Sequence, residues 1–161
     1  MKYTCSCCGQ IHDGLPDLTF DKPGYVNSIP DSEQKQRVRI NEDLCVVDEE
    51  HYFIRGVIKI PVLDHDEDLG FGVWVSQKKE NFEKYLENFD TKDIGPFFGW
   101  LSNEFKYGGE STTNLKTMAY FYGNGLRPLI ELEESDHPLS LAQRHGISLD
   151  EAWRIIHQFL D

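Results

Sequence analysis

A chain of 161 residues with 39% hydrophobic and 12% aromatic content is long enough for one domain with its own core, and too rich in rings to be disordered. Its 28 acidic against 16 basic residues leave a net charge of −12, which argues against nucleic acid or an anionic membrane as partner and permits a basic protein. No stretch of about 18 apolar residues is there to span a bilayer, and no apolar run before small residues marks an export signal, so the expected compartment is the cytoplasm.

Residues 1–30 are rich in Gly, Pro, Cys and Asp and read as an irregular segment packed on the rest of a single domain, 1–161. Pro30, Asp31 and Ser32 start a short helix to about Gln36, after which Val38 and Ile40 alternate with Arg37 and Arg39 as in a strand. DLCVVD (43–48) is a second short strand. HYFIRGVIKIPVLD (51–64) is the strongest strand, with Tyr52, Ile54, Ile58 and Ile60 on its apolar face and Gly56 as a candidate bulge. DHDEDLG (64–70) turns the chain, and GFGVWVS (70–76) returns antiparallel. Ser76 is the expected cap of a helix whose Phe82, Tyr85, Leu86 and Phe89 form one stripe. GPFFGWLSNEF (95–105) holds a strand or tight turn. TNLKTMAYFYG (113–123) and LRPLIELE (126–133) pair across Gly123-Asn124-Gly125. A short helix near 138–145 closes at Gly146. A last helix starts at Ser148, capped with Glu151, and turns Ala152, Ile155, Ile156 and Phe159 inward. Strands fill the middle with one inserted helix and helices at the end, so the expected fold is α+β with a mainly antiparallel sheet and an N-terminal zinc-knuckle-like segment.

Three of the four cysteines fall in CSCCG. Cys5 and Cys8 form a C-x-x-C pair followed by Gly9, whose freedom at φ > 0 lets backbone N–H groups face the sulfurs of a zinc thiolate site. His12 is within reach of the same ion, and Cys45 is the best remaining ligand because it would tie the N-terminus to the sheet. Cys7 competes, but adjacent side chains rarely face one ion together. The spacing therefore predicts structural Zn²⁺ on Cys5, Cys8, His12 and Cys45. Free thiols and a redox or catalytic cysteine are the alternatives, the latter disfavoured by Gly14 and Pro16 where a thioredoxin-like dithiol would need a helix.

DHDED lacks the glycine and glutamate of a calcium loop and reads as a solvated turn. H-E-x-x-H, G-x-S-x-G and glycine-rich phosphate loops are missing. Asp136-His137-Pro138 reads as a helix start with Asp136 capping, or as half of an acid–base pair. Arg55 and Arg127 sit on strands, where internal pairing with carboxylates competes with display for an anion. Trp74 and Trp100 are core residues or ligand platforms. Arg55, Trp74, Trp100 and Arg127 in one cleft would make a small-molecule or peptide site, and His137 with the two arginines would make an enzyme.

CSCCG-x-x-H, SIP, DLCVVDEEHYFIRG, GVWVS-x-x-x-ENF, FFGWLSN, NLKT and LRPLIELEESDHPLSLAQRHGIS occur in that order. This ordered set, over about residues 3 to 150, resembles the bacterial domain of unknown function numbered 2199. The resemblance implies a bacterial, cytoplasmic, single-domain protein, and a cysteine pattern falling on Cys5, Cys8 and Cys45 with Cys7 as a local addition. The reading that follows is a non-enzymatic binding or interaction module with a structural zinc site, one version being an immunity-type protein that masks a basic toxin. Its rival is a small hydrolase or transferase acting on an anionic substrate.

Overall fold

The computed structural model describes residues 2–4, 9–88 and 94–160, with the backbone alone at 2–4, 12 and 13. Strands β1 (Lys2–Thr4) and β2 (Ile11–Asp13) pair antiparallel, with Tyr3 opposite His12. After β3 (Leu18–Thr19) come two short helices, α1 (Gly24–Asn27) and α2 (Asp31–Arg37), and then β4 (Val38–Ile40) and β5 (Leu44–Val47). The long antiparallel pair β6 (His51–Ile60) and β7 (Leu69–Gln77) carries the fold, and α3 (Lys79–Glu87) follows it. Next are β8 (Phe97–Trp100), the small hairpin β9 (Lys106–Tyr107) and β10 (Glu110–Ser111), the pair β11 (Lys116–Tyr120) and β12 (Leu129–Leu132), α4 (Pro138–His145) and α5 (Leu149–Leu160).

The alternation in β6 places Ile54, Ile58 and Ile60 in the main core at 0% exposure. They meet Phe71, Val73 and Val75 of β7 there, and Phe82 and Tyr85 of α3, Leu139 of α4 and Trp153 and Ile156 of α5 complete the cluster. The opposite face of the same strands turns Cys45, Phe53 and Trp74 outward, under a second cluster closed by Val26 and Ile29 from the α1–α2 segment. Each strand thus has two apolar faces along part of its length, as a sheet covered on both sides requires.

Most strand pairs are antiparallel, as expected, but the sheet is mixed. β12 joins β6 in parallel at Leu129–Val57, and β3 joins β7 in parallel at Leu18–Phe71. Both pairs link segments far apart in the chain, so no hairpin turn dictates their direction. The sheet also curls until its ends meet. Val75 bridges Leu101, and the Ser102 N–H donates to the Trp74 carbonyl at 2.8 Å, bringing β8 onto the edge of β7 beyond β3.

Three local expectations change. Gly56 is no bulge, because the β6–β7 register runs unbroken from Tyr52–Gln77 to Ile60–Leu69. It is there for space: a Cβ would stand 2.6 Å from the Ile130 side chain and 2.9 Å from the Pro128 carbonyl. Ser76 lies inside β7, and α3 starts after Lys78, with Leu86 48% exposed and Phe89 outside the described residues. At α4 the cap is His137 rather than Asp136, its ring accepting from the Leu139 N–H. Ser148 does cap α5, its Oγ accepting from the Glu151 N–H at 3.1 Å. Among the described residues no helix is long and apolar enough to cross a membrane.

Candidate functional site

Where β8 closes on β7, the outward face of the sheet opens into a cleft of about 560 Å³, lined by Phe20, Tyr25, His51, Phe53, Trp100 and Asn103 among others. That volume suits a side chain or a small ligand. Its wall is fixed from beneath. Asn103, 3% exposed, accepts from the Trp74 N–H through Oδ1 (2.7 Å) and donates through Nδ2 to the Lys22 carbonyl (2.9 Å). Its own carbonyl accepts from the Thr112 hydroxyl, and the Gly24 N–H donates to the Ser102 carbonyl at 2.7 Å. Those bonds hold α1 against the segment after β8 and so set the position of Tyr25.

The rings are arranged for contact. Tyr25 lies over His51 with centroids 4.6 Å apart, its hydroxyl 3.3 Å from Nε2, and its ring 6.3 Å from that of Phe53. Trp100, 41% exposed, meets Phe98 edge-on at 5.2 Å, and the Lys116 ammonium stands 5.9 Å from its ring centre. Glu104, an acidic residue, also lines the cleft. Ser76 Oγ accepts from the Trp100 N–H and Ser102 Oγ donates to the Trp100 carbonyl. Neither serine hydroxyl bonds a histidine among the described residues; the one hydroxyl–imidazole contact in the cleft is that of Tyr25 with His51.

Of the five residues grouped in the sequence reading, Trp100 alone lines this cleft. Trp74 is 0% exposed beneath it, its indole N–H donating to the Phe20 carbonyl at 3.0 Å. Arg55 stands cross-strand from Trp74 with its guanidinium 5.5 Å from the ring centre, and Nη1 donates to the Glu42 carbonyl. Arg55 Nε is buried with no hydrogen-bond partner among the described residues, and burial and then the charge of Arg127 weigh against its ionisation. Arg127 itself pairs with Asp43 at 2.9 Å. Arg55 and Arg127 therefore brace the β4–β5 turn against the sheet. His137 sits apart at the start of α4. Because Nδ1 accepts from Leu139 N–H, Nε2 carries the proton and donates to the Ser111 carbonyl at 2.9 Å, which leaves neither nitrogen for proton transfer. Tyr25 and His51 were not anticipated; no local spacing links them, and only the packing of α1 on β6 brings them together.

Of the expected zinc ligands, Cys5 and Cys8 lie outside the described residues, as does the side chain of His12. Cys45 forms no disulfide among the described residues; it is 0% exposed among Val26, Val47, Phe53 and Trp74, and burial pushes its pKa up to about 11. DHDED forms an exposed turn, in which ligand atoms of His65, Asp66 and Glu67 come within 4.8 Å of one another.

No curated protein and no solved structure shows significant similarity to the chain. Residues 4–147 match the family described as "Uncharacterized protein conserved in bacteria (DUF2199)", and the chain belongs to that family.

Proposed function

We propose that this protein is a binding module whose aromatic cleft takes a cationic side chain of a basic protein partner. The observation that carries the reading is a cleft walled by Tyr25, Phe53 and Trp100, with Glu104 lining it, in a chain of net charge −12. Ring faces attract ammonium and guanidinium groups, by ~0.5–2 kcal/mol according to desolvation, and Lys116 beside Trp100 is an internal instance of that contact. The acidic surface would speed encounter with a basic partner, while the cleft would set which side chain seats. Titration of the protein with a Lys/Arg-rich peptide, followed by calorimetry, tests this. Binding is expected to weaken with salt and to fall about tenfold in Trp100→Ala. Equal affinity for an acidic peptide, or an unchanged affinity in Trp100→Ala, would overturn the reading.

The zinc clip belongs to the same proposal as a stiffening element. Its support is the antiparallel pairing of β1 with β2, whose connection carries Cys5 and Cys8. Protein purified without added metal is expected to hold about one zinc per chain, and Cys5→Ser is expected to lose it. Metal analysis that finds only traces, with all thiols titratable, removes the clip. Retention of zinc in Cys45→Ser would remove Cys45 from the ligand set and leave it as a core thiol.

A further inference from the structure

A second cleft, sharing no lining residue with the aromatic one, lies between α4, α5 and the β9–β10 hairpin, with a volume of about 730 Å³. Its walls include Leu141, Ile147 and Ile155. A neighbouring hollow of about 550 Å³ shares Lys106, Tyr107, Gly108, Ile155 and Gln158 with it and continues it toward Phe71 and Phe159.

Tyr107 lines both hollows. It is 6% exposed, and its hydroxyl is buried with no hydrogen-bond partner among the described residues. A buried hydroxyl without a partner costs about 1–3 kcal/mol, so it is seldom kept without a use. Burial and then the charge of Glu151 hold the phenol in its protonated form, ready to donate. The charge of the cleft departs from that of the whole chain. Lys106 and Arg154 line it against the single carboxylate of Glu151. Neither makes an ion pair with another described residue, whereas Arg37, Arg39, Arg127 and Arg144 all do.

We infer that this cleft binds a small organic anion with an apolar body and a carbonyl group, the carbonyl accepting from the Tyr107 hydroxyl and the anionic end facing Lys106 and Arg154. Glu151, close enough to influence the phenol, favours a neutral acceptor at Tyr107 and sends the charged end outward to the exposed cations. Gly108 and Gly109 at φ +60° and +84° shape the hairpin edge of the opening; beside Gly109 a Cβ would meet nothing within 4 Å.

N-acetyl-leucine carries all three groups and is the probe. Titrated into the ¹⁵N-labelled protein, it is expected to shift the amides of Gly108, Gly109 and the α4–α5 turn. Its affinity is expected to drop about tenfold in Tyr107→Phe and by a similar factor in Arg154→Gln. N-acetyl-leucinamide, which lacks the charge, should bind more weakly and should not distinguish Arg154→Gln from the parent. Because the hydroxyl has no partner among the described residues, Tyr107→Phe should melt no lower than the parent. The assignment is overturned by an absence of amide shifts at millimolar probe, by equal affinity of Tyr107→Phe and parent, or by equal binding of the acid and its amide. Loss of the aromatic cleft's peptide binding in Trp100→Ala leaves these outcomes unaffected.

Discussion

Trp74→Ala is expected to be among the most damaging single substitutions in the outward cluster, at ~3–5 kcal/mol, lowering the melting temperature by about 10–15 °C for a domain of this length. Three losses combine. The 0%-exposed ring is removed from contact with Cys45, Val47, Phe53, Val26 and Ile29, leaving a cavity that the paired strands β5–β7 cannot collapse around. The Phe20 carbonyl loses the indole N–H that reaches it at 3.0 Å. Arg55 loses the ring beside its guanidinium and is left with the Glu42 carbonyl, near a second cation in Arg127. Trp74→Phe separates these terms. It keeps much of the volume and should cost about 1–2 kcal/mol for the unpaired carbonyl. Trp100→Ala is the reference, since its ring is 41% exposed and its loss should cost under about 1 kcal/mol. Thermal melts followed by circular dichroism rank the three; a Trp74→Ala melt no lower than that of Trp100→Ala would mean that the outward cluster contributes little.

The two tryptophans show where sequence reasoning succeeds and where it stops. Both sit on strands with aromatic and other apolar neighbours, and nothing local says which is covered. What covers Trp74 is Val26 and Ile29 of the α1–α2 segment, more than forty residues upstream. The elements themselves were legible, because periodicity and caps are local. The alternation of 51–60, the turn at 64–68, the Gly-Asn-Gly link before β12 and the Ser148 cap of α5 all appear at or near the expected places. Parallel pairing and the curl of the sheet depend on contacts between distant segments, which spacing does not encode. The candidate site failed for the same reason. Arg55, Arg127 and His137 were grouped by chemical type, but Arg127 has Asp43 as partner and His137 has backbone groups on both nitrogens. Tyr25 and His51, 26 positions apart, meet only in the folded chain. Glycine was ambiguous in a related way: Gly56 inside a strand is compatible with a bulge or with close packing, and only the position of Ile130 decides.

Gly99→Ala tests the closure that creates the aromatic cleft. Gly99 has an ordinary backbone conformation, so alanine meets no torsional penalty there; the penalty is steric. An added Cβ would overlap the Ser76 carbonyl oxygen and stand 2.8 Å from Gln77 Nε2, the amide that donates to the Ser76 and Phe98 carbonyls at 2.7 and 3.2 Å. A backbone carbonyl in a paired strand cannot swing aside as a side-chain end can, so β8 must lift from β7. The bonds at risk are the Val75–Leu101 bridge, Ser102 N–H to the Trp74 carbonyl, and Trp100 N–H to Ser76 Oγ at 3.0 Å. Overpacking of this kind costs ~3 kcal/mol, or about 6–12 °C of melting temperature. Those same bonds place Trp100 and Asn103 in the cleft, so peptide affinity should fall together with stability. Gly109→Ala is the counterpart. It forces alanine to φ +84° in open space and should cost about 1–2 kcal/mol of backbone strain while leaving peptide affinity intact. If Gly99→Ala melted like the parent, the strand contact on β7 would be looser than these distances require. If it melted lower but bound peptide as the parent does, the cleft would not depend on the closure of the sheet.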